Sequence, residues 1–165
     1  MITCYIGVGT NIDRRKHIEQ AVRELSQIGT SLRLSSIYEC AAVGFDSHPF
    51  YNLVIELQTD RSLTLFLQEL RSIELKCGRS IDAEKFQDRT IDLDVLLFGD
   101  YVSQTQPELP RRDIYHYPFV LQPLYELCPE LIIPNDGRTV SELWQSVSSF
   151  QLLTQVELWF NPDYF

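Results

Sequence analysis

The sequence predicts an α+β fold on the ferredoxin-like, split βαβ plan: a βαββαβ antiparallel sheet with helices on one face, followed by a C-terminal helical and strand elaboration. Four short segments have strand-like apolar patterning, and two longer ones carry apolar residues at helical spacing. Their order is strand, helix, strand, strand, helix, strand. The 165 residues, 44% hydrophobic and 22% charged, suit one domain over 1–165, with 1–99 as its core and 100–165 as the elaboration.

Ile2 to Val8 reads as the first strand, broken by Gly9-Thr10-Asn11, with Asn11 placed to cap the next helix. Ile18, Ala21, Val22, Leu25 and Ile28 recur on one helical face, and Gly29 marks its stop. Ser31 to Tyr38 is a second strand, Cys40 to Pro49 a loop, and Phe50 to Gln58 a third strand. From Ser62 to Cys77 a second amphipathic helix carries Leu63, Phe66, Leu67, Leu70, Ile73 and Cys77 on one stripe, with Arg71 and Glu74 on its polar face. Gly78 closes it. A charged connector from Arg79 to Asp88 leads to the fourth strand, Thr90 to Phe98. Beyond Gly99, Val120 to Leu127 suggests a short helix, and Thr139-Val140-Ser141-Glu142 is a capping box opening another through Trp144 and Val147. The tail from Leu152 to Phe165 is apolar enough to dock.

Function concentrates in the fourth strand, where Asp92 and Asp94 lie on the side opposite Ile91, Leu93, Val95 and Leu97. Side chains two apart on a strand share a side with Cα atoms roughly 6.5–7 Å apart, so two bare carboxylates there repel and invite a cation. Mg²⁺ suits the pair, because it takes one or two carboxylates and leaves its other positions to water and phosphates. The plainer alternative is a solvated strand face whose acids pair with Arg79 and Arg89. A net charge of −9 argues against a nucleic-acid partner, while the basic islands at Arg79, Lys85, Arg89, Arg111 and Arg112 fit a small polyanionic ligand.

Cys4, Cys40, Cys77 and Cys128 form no Cys-x-x-Cys pair, so reduced thiols are expected rather than a zinc site. His17, His48 and His116 have no ligand-like spacing. With no signal-peptide pattern and no apolar run of about 18 residues, the chain reads as cytoplasmic, with no membrane partner, and as a monomer acting on small molecules.

Five segments, in order, resemble the 6-hydroxymethyl-7,8-dihydropterin pyrophosphokinase family: Tyr5-Ile6-Gly7-Val8-Gly9-Thr10-Asn11, Phe50-Tyr51-Asn52-Leu53-Val54, Ile73-Glu74-Leu75-Lys76-Cys77-Gly78-Arg79, Arg89-Thr90-Ile91-Asp92-Leu93-Asp94, and Leu109-Pro110 through to Phe119-Val120-Leu121-Gln122-Pro123-Leu124. The resemblance covers nearly the whole chain. It implies transfer of the β,γ-pyrophosphate of ATP to the pterin's hydroxymethyl oxygen, giving AMP, in folate biosynthesis. It further implies catalytic Arg79, Arg89, Asp92 and Asp94, two Mg²⁺ on the two acids, ATP contacts from Glu74, Arg79, Arg89 and Val95, and a pterin pocket of Cys40, Val43, Phe50, Asn52 and Phe119; the basic Lys85, Arg111 and Arg112 are further candidate ATP contacts.

Several positions depart from the family pattern. Thr10 replaces a serine, Cys40-Ala41-Ala42-Val43-Gly44 stands for Thr-Pro-Pro-x-Gly, Ile81 and Phe86 replace an arginine and a tryptophan, Arg111 and Arg112 occupy positions usually held by other residues, and Tyr117 stands for an arginine. These changes leave a second hypothesis, a divergent non-catalytic paralogue that binds nucleotide or pterin. AMP production separates the two.

Overall fold

The computed structural model describes residues 1–78, 90–147 and 153–164. In chain order it contains β1 (Ile2–Thr10), α1 (Arg14–Leu25), β2 (Thr30–Leu34), β3 (Ile37–Cys40), β4 (Phe50–Thr59), α2 (Leu63–Lys76), β5 (Asp92–Phe98), α3 (Asp113–His116), α4 (Pro118–Leu127), α5 (Val140–Ser146) and β6 (Thr154–Val156). The strands form an antiparallel sheet in the order β5-β1-β4-β3-β6, with β2 also on β4. This is the expected split βαβ arrangement, with β5, β1, β4 and the β2–β3 pair as its four strands and β6 added beyond β3.

One face of the sheet packs on α1 and α2. Ile18, Ala21, Val22 and Leu25 from α1 and Phe66, Leu70 and Ile73 from α2 bury against Ile6, Val8, Leu53, Ile55, Leu57, Leu93 and Val95. On the opposite face, Tyr5, Val54, Leu96 and Leu97 bury against Ile114, Val120, Leu121, Leu124 and Leu143. The C-terminal helices therefore cover the end of this second face nearest the start of β1. Asp92 and Asp94, toward the other end, remain only partly buried.

Helix boundaries follow local chemistry. Ser62 caps α2 by accepting from Leu65 N at 3.2 Å, and Gly78 adopts φ 93 just beyond its end. The capping box of α5 is reciprocal: Thr139 Oγ1 accepts from Glu142 N at 3.0 Å and Glu142 Oε1 from Thr139 N at 3.1 Å. The tail docks as expected, with Trp159 Nε1 donating to Glu19 of α1 at 3.2 Å and its ring 6.0 Å from that of Tyr51.

Four local expectations are corrected. Gly9 and Thr10 do not break β1 but continue it, pairing with Asn52 and Tyr51 of β4. Asn11 does not cap α1; its amide donates across to His48 O at 3.2 Å, and Asp13, at φ 43, takes the N-cap position. The single strand expected over Ser31 to Tyr38 is two, β2 and β3. Between them the Ser35 hydroxyl competes with the sheet's backbone pairing, accepting from Val54 N at 2.9 Å and donating to Ser36 O at 2.8 Å. Finally, β5 carries a bulge. Tyr5 pairs with Leu97 but Ile6 with Val95, which leaves Leu96 as the extra residue and turns Leu97 to the second face. Leu97 is thus not aligned with Ile91, Leu93 and Val95, which keep the predicted orientation.

Candidate active site

The alternation of β5 places Asp92 and Asp94 on one side, and antiparallel register carries that side across the sheet. Asp92 pairs with Gly9, Gly9 with Asn52, and Asn52 with Tyr38; one step along, Asp94 pairs with Gly7 and Gly7 with Val54. Opposed residues in such a ladder project to the same face. Two glycines therefore lie between the acid strand and the amide strand, across a span of about 10 Å from β5 to β4. A Cβ built on Gly9 would lie 3.0 Å from Asn52 Oδ1 and 3.8 Å from Phe50, and one on Gly7 would lie 3.3 Å from Leu96. The glycines are not among the site residues expected from sequence, although Gly-x-Gly at strand period is a visible signal of close approach to backbone.

Asn52 is 8% exposed, and its amide donates to Cys40 Sγ at 3.4 Å, which leaves Oδ1 on the Gly9 side. Burial pushes the Cys40 thiol up to about 11, against a smaller opposing effect of the Asn52 hydrogen bond. Phe50 flanks Gly9 and meets Phe45 edge-on at 6.3 Å. Val43 is exposed on the loop between β3 and β4. Phe119, in the first turn of α4, stacks on Tyr117 with ring centres 4.9 Å apart. The expected arginine is thus replaced by a second aromatic surface.

On the acid side, Arg111 Nη2 lies 3.5 Å from Asp94 Oδ2, while its Nε donates to Asp113 at 3.1 Å. All three side chains are about one-third exposed. Burial, followed by the neighbouring Asp92, pushes the Asp94 carboxyl well above the usual range, with Arg111 opposing. Thr10, the serine replacement, uses its hydroxyl to donate to Thr90 O at 2.6 Å and so holds the chain entering β5.

The structure thus brings together Asp92, Asp94 and Arg111 on one side and Asn52, Cys40 and Phe50 on the other. Glu74 differs from its predicted place on a polar helix face: it is 5% exposed, and its Oε2 accepts from Leu93 N at 2.9 Å, fixing the backbone between the two acids. Val95 turns its side chain into the core shared with α1 and α2, so that side chain lies opposite the acids. Arg112 is 68% exposed and pairs with Glu108 at 3.3 Å. Arg79, Lys85 and Arg89, with Ile81 and Phe86, lie outside the described residues. Asp113, which steadies Arg111, was missed because its partner is set by how the chain turns after Pro110.

A separate cleft of about 390 Å³ lies at the opposite end of β1 and β5, lined by residues including Met1, Tyr5, Leu97 and Tyr101. It contains neither acid. Among the described residues, no helix is long and apolar enough to cross a membrane.

The family model for 7,8-dihydro-6-hydroxymethylpterin-pyrophosphokinase matches residues 5–129. A 2-amino-4-hydroxy-6-hydroxymethyldihydropteridine pyrophosphokinase from Haemophilus influenzae is 30% identical over 158 residues, covering 93% of this chain and 98% of that protein. The Bacillus subtilis protein of the same name is 36% identical over 132 residues, covering 77% of this chain and 78% of its own. Among solved structures, wild-type Plasmodium falciparum HPPK-DHPS with SDX-DHP superposes over 90% of this chain with TM-score 0.68 and 14% identity. An HPPK-DHPS in complex with substrates does so over 90% with TM-score 0.70 and 12% identity. This chain spans 44% of each of those two longer chains, and at such identity the likeness concerns the fold.

Proposed function

The chain belongs to the 7,8-dihydro-6-hydroxymethylpterin-pyrophosphokinase family, and we propose that the sheet face carrying Asp92, Asp94, Gly9 and Asn52 is where its reaction takes place. That reaction is transfer of the terminal diphosphate of ATP to the hydroxymethyl oxygen of 6-hydroxymethyl-7,8-dihydropterin, releasing AMP in folate biosynthesis. One observation carries the assignment: an acid pair and a buried amide share one sheet face, separated by two glycines.

The donor set fits hard divalent cations. Two oxygen-donor side chains sit together, and burial with the neighbouring Asp92 pushes the Asp94 carboxyl well above its usual range. Asp92 and Asp94 would hold two Mg²⁺. When bound, the ions would neutralise phosphate charge and ease loss of the hydroxyl proton. The chain's own groups do the rest. Glu74 holds the Leu93 backbone and so sets the spacing of the acids. Arg111, with Arg79, Lys85 and Arg89 from the segment outside the described residues, would bind the phosphates, and Arg112 and backbone near Val95 would take part in nucleotide binding. Asn52 Oδ1 would accept from the donor edge of the pterin, while Phe119, Phe50, Cys40 and Val43 would enclose its flat ring. The same reading takes 1–165 as one domain, acting as a cytoplasmic monomer. Burial of Tyr5, Val54 and Leu96 against the C-terminal helices supports the single domain.

Incubation with ATP, Mg²⁺ and the pterin should release one AMP per pterin diphosphate, and chelation should stop it. ADP in place of AMP, or tight binding of either substrate with no turnover, would overturn the proposal.

Gly9→Val tests the role of these glycines. Its side chain would crowd Asn52 and Phe50, since even a Cβ there reaches within 3.0 Å of Asn52 Oδ1. A β-branched residue suits a strand, so the fold should persist. The expected result is a KM for pterin raised by about tenfold or more, the loss of roughly 1.4 kcal/mol of binding, with ATP affinity changed by less than about twofold. Unchanged pterin KM would move the pterin away from β1.

A further inference from the structure

We propose that Arg111 is the counter-ion of Asp94 in the substrate-free site, and that nucleotide phosphates draw it away, so that divalent cation and nucleotide bind cooperatively. The inference rests on the assignment of Asp92 and Asp94 as metal ligands. Its basis is the unequal grip on one guanidinium. Nη2 stands 3.5 Å from Asp94 Oδ2, beyond the 2.7–2.9 Å typical of a tight charge-assisted hydrogen bond, whereas Nε donates to Asp113 at 3.1 Å. Arg111 N also donates to Leu96 O at 2.9 Å, which tethers its backbone to the edge of β5 two residues from Asp94.

The guanidinium can therefore leave Asp94 while Asp113 and the β5 edge hold its base. Both members of the Asp94 contact are about one-third exposed, so water can take over each charge as it breaks. Until it breaks, a positive charge beside an Asp94 oxygen opposes a dication seeking the same carboxylate. A polyphosphate offers the guanidinium paired oxygens, a better match to its planar fork than one loosely held carboxylate oxygen. Any such exchange must act in both directions: nucleotide improves cation binding, and cation improves nucleotide binding by the same factor. Sequence comparison alone suggests only that Arg111 adds charge for the triphosphate. The structure adds that Asp94 and Asp113 share this charge and would compete with the phosphates for it.

The test is Mn²⁺ binding to the full chain, read from the electron paramagnetic resonance signal of free Mn²⁺, with and without α,β-methylene-ATP. Removing the charge in Arg111→Gln should tighten Mn²⁺ binding without nucleotide by about fivefold, the upper range for a part-exposed ion pair. The analogue should then improve Mn²⁺ affinity less than it does in the wild type. Arg111→Lys, which keeps the charge, should stay near wild type without nucleotide, as should Arg112→Gln, which removes a neighbouring charge paired with Glu108. Thermal melts establish that each variant is folded. Mn²⁺ binding to Arg111→Gln no tighter than to wild type, or equal tightening by Arg112→Gln, would overturn the exchange while leaving the metal assignment standing. Undiminished Mn²⁺ uptake by Asp94→Asn would instead overturn the metal assignment, and the exchange with it.

Discussion

Asp94→Asn is expected to lower turnover by on the order of 10³-fold or more while raising the melting temperature of the metal-free protein. The amide keeps the shape of the carboxylate and removes the charge that would hold the cation. The two effects have opposite signs because the same charge that would serve catalysis strains the empty fold. Burial and the adjacent Asp92 push the Asp94 carboxyl upward, and the loose contact with Arg111 offsets only part of this. An acid with a raised folded pKa destabilises the fold once pH exceeds its unfolded value, about 3.9. Asparagine should therefore stabilise at pH 7, by about 2–4 °C for a gain of ~1 kcal/mol, and the gain should fade toward pH 4 as the wild-type carboxyl becomes protonated in both states. AMP release and melting curves across that pH range provide the measurement. Full turnover would reject the metal assignment, and a lower melting temperature at pH 7 would reject the strain.

Phe66→Ala should produce the largest loss of stability without touching the chemistry. Phe66 is fully buried on α2, with its ring 5.9 Å from that of Phe98 at the end of β5. Removing a buried ring loses its transfer energy and leaves a cavity, together ~3–5 kcal/mol. In a protein of this size that lowers the melting temperature by roughly 10 °C, a large part of the 5–15 kcal/mol that typically separates folded from unfolded chains. Yet Phe66 lies in the core between the sheet and α1 and α2, and the acids face the other way. The fraction still folded at low temperature should turn over within about threefold of wild type. A stable variant would contradict the packing of α2 against β5. A folded but inactive one would show that the two faces of the sheet are not independent.

The local pattern was legible wherever a residue's role depends on its near neighbours. Gly78 and the Thr139–Glu142 box mark helix ends by chemistry within four residues, and each acts as the sequence suggests. Where a distant segment competes for the same group, that legibility fails. Asn11 looks like a cap, but the loop carbonyl of His48 takes its amide. Ser35 splits a strand because Val54 N, from β4, reaches its hydroxyl. Glu74 reads as a surface acid on helical spacing, yet β5 lays the Leu93 N–H against it and buries it. The segment 79–89, which carries Arg79, Lys85 and Arg89, lies outside the described residues.

By itself the sequence determined that Asp92 and Asp94 share a side, because alternation along a strand is a property of the backbone of that strand alone. What stands opposite the acids was decided by tertiary structure: Gly7 and Gly9 beside them, Asn52 beyond, Arg111 against Asp94 and a bulge that turns Leu97 away from its predicted face. Those neighbours come from strands and loops far apart in the chain. Their alignment depends on register and on competing burial over the whole sheet, which no local spacing encodes.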